Sequence, residues 1–359
     1  MENKANPHTI KKFEIIEGYV KSWIEKLMNY QRGGISQCKK ICFIDCMCNN
    51  GRYIDDSGTI IDGTPIRVAR IISDAMKKYS DKKAILYFND SDSTKIDELK
   101  KHLPDDTGNY QICLSCKNGN DLLKELSSKI LRKPNVHYLL FYDPYDASID
   151  WTALAPYFFG WGEVILNHVV SDTIRAIKSV KRPTTKDKYQ QTYLTAIEEL
   201  VNLHTDKNAY DKLIENIIKK LGSILNREYY LASFPFFIKT NTRIYNIIFF
   251  TKSEEGFKLF KTTAWKTFGD KSSNQNTHGK EKQMPLFEVQ DSKQCYYVSD
   301  IANYIVNHFK GQKAVPLEKI WALVDEHPIF PTVNYKNDIK KELKSMGFCK
   351  IHRNNLDFV

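Results

Sequence analysis

The chain has 359 residues, 42% of them apolar, and a net charge of +10. That length holds a main domain of about 200–250 residues and a small one of about 60–80, each with a real core, and the positive balance predicts an anionic partner, nucleic acid being the simplest. No stretch approaches the roughly 18–20 apolar residues of a membrane span, no signal peptide opens the chain, and eight cysteines are too sparse for a disulfide scaffold, so a cytoplasmic protein with reduced thiols and no membrane partner is expected.

The opening stretch 8–30 carries Phe13, Ile16, Tyr19, Val20, Trp23, Ile24 and Leu27 at helical spacing and predicts an amphipathic helix. Lys39–Cys46 reads as a buried strand ending in a tight Asn49-Asn50-Gly51 turn. Arg52–Gly63 reads as a loop, and Ile66–Tyr79 as a helix. The alternation continues with a strand at Lys83–Phe88, a helix at Lys95–His102, a short strand at Gln111–Ser115 and a helix at Leu122–Lys129. A strand at His137–Tyr142, a helix at Trp151–Tyr157 and a strand at Glu163–His168 follow. Short apolar runs alternating with helices at this rhythm predict an α/β fold, a Rossmann-like parallel sheet with helices on both faces.

Residues 172–225 read as a helical insertion broken at Arg182-Pro183. Glu228–Ile238 and Arg243–Thr251 then form a strand pair, and Glu254–Thr267 a helix. The polar run Gly269–Gln283 predicts an exposed linker. Helices at Val298–Lys310, Leu317–Asp325 and Tyr335–Met346, closed by Gly347 and a hairpin, read as a winged helix. The expected domains are therefore 1–268, a linker over 269–294, and 295–359.

Strand, small-residue turn and helix is how an α/β fold sets backbone N–H groups against a nucleotide-like ligand. Asp90 and Asp92 after the second strand stand where a carboxylate accepts ribose hydroxyls, or where the next helix takes its cap. Asp121 is either a group for the ligand or an N-cap. Asp143-Pro144-Tyr145-Asp146 closes a buried strand at the carboxyl edge, where ligands collect, and His168 is a candidate for the same cleft or a structural side chain. The thiols at Cys38, Cys42, Cys46, Cys48, Cys113 and Cys116 offer no clean pair of pairs, so buried thiols rather than a metal site are expected.

HTIKKFEIIEGYVKSW (8–23), FIDCMCNNGRY (43–53) with GTPIRVARII (63–72), LLFYDPYD (139–146), EVILNH (163–168) and NIIFFTKSEEGFKLFKTTAW (246–265) together resemble the three-Cys-motif partner protein family, which looks like S-adenosylmethionine-dependent methyltransferases. The first loop departs from the family pattern, with Cys48 and Asn49 or Asn50 at glycine positions. The resemblance implies S-adenosylmethionine as cofactor, with Asp45, Asn49 and Gly51 along its methionine part, Asp90 on the ribose and Asp121 near the adenine. It implies that Asp143, Pro144 and Tyr145 hold a flat amine, as in amino methyltransferases. It also implies a partner protein encoded nearby and a mobile-element or phage-defence setting. Lys336, Lys340, Lys341, Lys344 and Arg353 form the expected nucleic-acid surface, although Asp338 and Glu342 interleave with them. Two functions stay open on these residues: methyl transfer to an amine of nucleic acid, and a catalytically degenerate module that docks DNA or a partner protein.

Overall fold

The computed structural model describes residues 3–131, 133–145, 148–169, 183–193, 198–199, 217, 219, 222, 229–240, 243–275, 295–347 and 349–358. Most of the expected insertion 172–225, Asp146, the Asn241-Thr242 turn and the polar run beyond 275 lie outside the described residues.

The chain opens with β1 (Asn3–Lys4) and α1 (Pro7–Met28), then a small hairpin, β2 (Gln31–Arg32) and β3 (Ile35–Ser36). Next come β4 (Lys40–Asp45), β5 (Arg52–Ile54), β6 (Ile60–Asp62), α2 (Thr64–Met76), β7 (Lys83–Asn89) and α3 (Ser93–Lys100). They are followed by β8 (Tyr110–Ser115), α4 (Gly119–Ile130), β9 (Val136–Tyr142), α5 (Trp151–Leu154) and β10 (Gly162–Val169). Then come α6 (Pro183–Tyr193), β11 (Tyr230–Phe237), β12 (Arg243–Thr251) and α7 (Glu254–Phe268). The C-terminal part holds α8 (Val298–Phe309), β13 (Val315–Pro316), α9 (Leu317–Glu326), α10 (Lys336–Met346), β14 (Cys349–Ile351) and β15 (Asn355–Phe358).

The main sheet has seven strands in the order β11-β12-β10-β9-β4-β7-β8. The five from β4 to β10 are parallel, whereas β12 runs antiparallel to both β10 and β11. The sheet is thus mixed rather than purely parallel. The connection between β11 and β12 is too short for a crossover, and the Ile247–Phe250 run buries both faces of β12 beside β10. This is a Rossmann-like order, with the parallel strands fanning out to either side of β4 and the antiparallel pair β12–β11 at one edge. Alternating residues split its core: Ile41, Phe43, Leu139, Phe141 and Ile165 pack with α1, α2 and α7, while Cys42, Ile44, Leu140, Tyr142 and Leu166 pack with α4 and α5.

Two further expectations change. Arg52–Gly63 is not a loop but the hairpin β5–β6, to which β1 adds in parallel, with Ala5 N–H on the Ile54 carbonyl at 2.8 Å. Its turn is made locally: Asp55 accepts from Ser57 and Thr59 backbone N–H groups, and Gly58 sits at φ +83. The start of the expected linker is pinned as well. Ser272 and Ser273 are buried, and Asn274 exchanges two hydrogen bonds with the Phe237 backbone, at 2.8 and 2.7 Å.

The C-terminal elements pack on α7. Trp265 Nε1 donates to the Ile329 carbonyl at 2.8 Å, and its ring meets Phe330 and Tyr335 edge-on. Buried Lys261 donates to the Asp325 and His327 carbonyls at 2.8 and 2.9 Å with its ammonium 4.0 Å from the Phe257 ring centroid, and burial lowers its amine to about 7. Lys258 pairs with Asp325 at 2.9 Å. Trp265→Ala should therefore cost about 3–5 kcal/mol, read as a lower urea midpoint. A loss below about 1 kcal/mol would show that α7 is not the anchor of the C-terminal elements.

Candidate functional site

Parallel register brings Asp45 level with Phe88 and Phe141, so the ends of β4, β7 and β9 fall at one edge of the sheet. Asp45 ends β4, Asp90 follows β7 and Asp143 follows β9. Asp45 is buried, accepts the Met47 N–H at 3.3 Å and has no ion pair among the described residues. Burial pushes its carboxyl up to about 8. The Asp143 charge adds to the rise, while the Met47 N–H and Lys12 oppose it.

The bend that follows takes the left-handed conformations its residues favour, with Asn49 at φ +59 and Gly51 at φ +71. A Cβ on Gly51 would stand 2.7 Å from Leu99 Cδ1. Asn3 Nδ2 donates to the side-chain oxygens of Asn49 and Asn50 at 3.0 and 2.8 Å, so the N-terminal strand straps the bend. Asn49 N–H donates to Asp90 Oδ2 at 3.1 Å. Asp90 Oδ1 accepts the Asp92 N–H at 3.0 Å and stands 3.5 Å from Lys95 Nζ. Lys95 also bonds the Tyr145 hydroxyl and lies 4.9 Å from the centroid of that ring, which is 66% exposed. Asp92 itself caps α3.

Asp143 is held on both sides. Lys12 Nζ is 2.5 Å from Oδ2, and Asn167 Nδ2 donates to Oδ1 at 2.6 Å. Pro144 is buried and ends the strand. The structure thus brings Asp45, Asn49, Gly51, Asp90, Asp143, Pro144 and Tyr145 to one edge. Asp121 is not among them by contact: it is exposed in the first turn of α4, whose cap is Asn118, and it shares no hydrogen bond or ion pair with the three carboxylates among the described residues. His168 faces the other side of the sheet, where its Nε2 meets the Tyr193 hydroxyl at 2.9 Å and burial lowers it to about 3. Of the cysteines, Cys116 is exposed and Cys113 half-buried; the rest are buried free thiols.

Lys12, Lys95, Asn3, Asn167 and Tyr53 complete the edge without having been singled out for it. Burial raises the Tyr53 hydroxyl, and the Asp143 and Asp45 charges raise it further. A hollow of about 320 Å³ flanks the bend between Asn50, Tyr53 and His102, and a second of about 530 Å³ lies between Trp151, Pro156 and Phe159; neither is lined by the three carboxylates. On the C-terminal elements, Lys336 and Lys340 lie 5.4 and 5.8 Å from the Trp321 ring centroid, Lys341 pairs with Asp338 at 3.2 Å, Lys344 is exposed on α10, and Arg353 stands in the β14–β15 turn.

No family model and no curated protein matches the chain. Among solved structures, a Legionella pneumophila protein (LPL1258, DUF519) is 11% identical with a TM-score of 0.41, over 70% of this chain and 91% of that one. Human methyltransferase-like protein 13 in complex with SAH is 8% identical with a TM-score of 0.34, over 79% and 97%. The O-methyltransferase TomG of Streptomyces achromogenes in complex with SAM is 10% identical with a TM-score of 0.30, over 70% and 92%.

Because the Asp45 carboxyl titrates near 8 when folded and near 3.8 when not, the folded chain keeps a proton across that window that the unfolded chain has lost. Its contribution to stability therefore falls as pH rises through the window and is lowest above it. Asp45→Asn removes the titration, so the stability difference in favour of the variant should widen between about pH 4 and pH 8 and level off above it. Parallel denaturant midpoints for the two proteins at every pH would contradict this.

Proposed function

We propose that this carboxyl edge binds S-adenosylmethionine and that the Asp143-Pro144-Tyr145 corner presents an amine of nucleic acid to it. The observation that carries the reading is the convergence of three carboxylates, from three neighbouring strand ends, around a left-handed Asn-Asn-Gly bend. The donor set fits such a cofactor. Asp45, buried and without an ion pair among the described residues, suits an ammonium group, and Asp90 suits ribose hydroxyls. Asn49 and Gly51 let the backbone approach the ligand closely, and Asp121, at the loop after β8, is assigned to the adenine. When bound, the cofactor supplies a methyl group on an electron-poor sulfur.

The chain's own part is positioning. Asp143 accepts an amine N–H, Pro144 fixes the turn, and Tyr145 offers a ring for a base to stack on. Residues 1–268 form the methyltransferase-like domain, 269–294 a connection and 295–359 a winged helix. Three helices with the sheet order β13-β15-β14 support the last assignment, and Lys336, Lys340, Lys341, Lys344 and Arg353 are its phosphate contacts. A neighbouring partner protein and a phage-defence setting rest on the family resemblance alone. One observation favours the second reading, a binding module without catalysis: Lys12 already fills the Asp143 carboxylate.

Calorimetric titration with S-adenosylmethionine should give heat and saturate. Tyr145→Ala should then slow methyl transfer by roughly tenfold to a hundredfold with little change in cofactor affinity. A folded protein that takes up no ligand at millimolar concentration is the binding module instead. For the C-terminal elements, Lys340→Glu with Lys341→Glu should weaken DNA binding and lower the slope of log affinity against log salt by about two. An unchanged slope assigns that surface to a protein partner.

A further inference from the structure

The amine corner is filled by a side chain of the same molecule. Lys12 sits early in α1, is buried, and places Nζ 2.5 Å from Asp143 Oδ2. Its ammonium also faces the Phe141 and Tyr245 rings, 5.8 and 5.5 Å from their centroids. Asn167 holds the second carboxylate oxygen at 2.6 Å, which fixes the carboxylate's orientation. A carboxylate beside aromatic faces is a receptor for an alkylammonium group. The surrounding contacts keep Lys12 there: the Tyr245 hydroxyl donates to the His8 carbonyl at 3.0 Å, and Asn3 bridges the Asn49 and Asn50 side chains. Lys95, the other ammonium at this edge, is turned to Asp90 and Tyr145.

We propose that Lys12 is itself a methyl acceptor, so that the chain modifies its own Nζ. The proposal rests on the reading of this edge as an S-adenosylmethionine site. The Lys12 ammonium first gives up one proton to water, and Asp143 Oδ2 keeps the resulting amine in place by accepting one of its N–H groups. The freed lone pair on Nζ attacks the methyl carbon, an N–C bond forms, and the C–S bond breaks with its electron pair staying on sulfur. The products are a methylammonium on Lys12, paired again with the Asp143 carboxylate, and the neutral thioether S-adenosylhomocysteine. The charge lost from sulfur reappears on nitrogen, so no oxidant or further reactant enters. Phe141 and Tyr245 provide the surface on which the methylated head rests.

The full-length protein incubated with S-adenosylmethionine is read by peptide mass spectrometry. The expected result is a gain of one or more CH2 units on the peptide carrying Lys12, at higher occupancy than on any other lysine. Lys12→Met abolishes the gain, and Asp143→Asn lowers its rate by roughly tenfold or more, the loss expected when a hydrogen-bonded charge leaves the acceptor site. The wild-type masses decide alone where a variant does not fold. A second readout needs no turnover: calorimetric binding of S-adenosylhomocysteine to the wild-type protein. Binding without any modification of Lys12 overturns the proposal and leaves the cofactor reading standing. Absence of binding removes both.

Discussion

Three carboxylates share two ammonium groups at the carboxyl edge of the sheet. Parallel register delivers Asp45, Asp90 and Asp143 to neighbouring strand ends, and Lys95 and Lys12 answer the last two. In the Lys12–Asp143 pair the lysine is buried and the carboxylate half-buried, so removing one partner strands a partly desolvated charge and costs up to about 3 kcal/mol, the low end of what a fully buried pair loses. The pair also fixes where α1 lies on the sheet, and through α1 the Asn3 strap across the bend. Asp45 has no ion pair among the described residues, and burial favours its protonated form.

Much of this architecture is legible in the sequence. The apolar runs KICFID, KAILYFN and VHYLLFY are buried strands because a parallel sheet covered on both faces has no polar side. The left-handed bend is legible because Asn and Gly are the residues that adopt it. The β5–β6 hairpin is not, since its strands of three residues are too short and too polar to show a period of two. Asp121 drew notice as an acid after a strand, but Asn118 one turn earlier has the geometry to cap the helix. Lys12 is hidden for a different reason. A lysine in a polar N-terminal stretch reads as solvated, and its partner lies 131 residues away. The one local signal is the spacing of His8, Lys12, Ile15, Ile16 and Tyr19, which puts the lysine on the buried face of α1.

Among the described residues, the C-terminal elements are joined to the main sheet by packing on α7. Trp265 and Lys261 on α7 reach the turn after α9, and one turn earlier Phe260 stacks on Phe249 of β12 with centroids 4.2 Å apart. Strand β12 pairs with β10, which carries Asn167 beside Asp143. The basic helix α10 is thus held at a fixed place relative to the carboxylate edge. Lys261 makes the joint unusual. Its three donor hydrogens have two carbonyl acceptors and one aromatic face, which satisfies an ammonium, while burial opposes the charge.

On the proposed reading, Asp45 serves binding at the expense of folding. A side chain whose surroundings oppose its ionisation adds nothing to stability that Asn would not supply, and it weakens the fold as pH rises. A cation placed beside it reverses the balance. The carboxyl then ionises, and near neutral pH binding releases the proton that Asp45 had kept. Binding and ionisation are linked, so affinity for such a cation grows with pH until the free carboxyl, near 8, is already charged. The feature that lowers stability on raising the pH is therefore one that the ammonium of the proposed ligand would reverse.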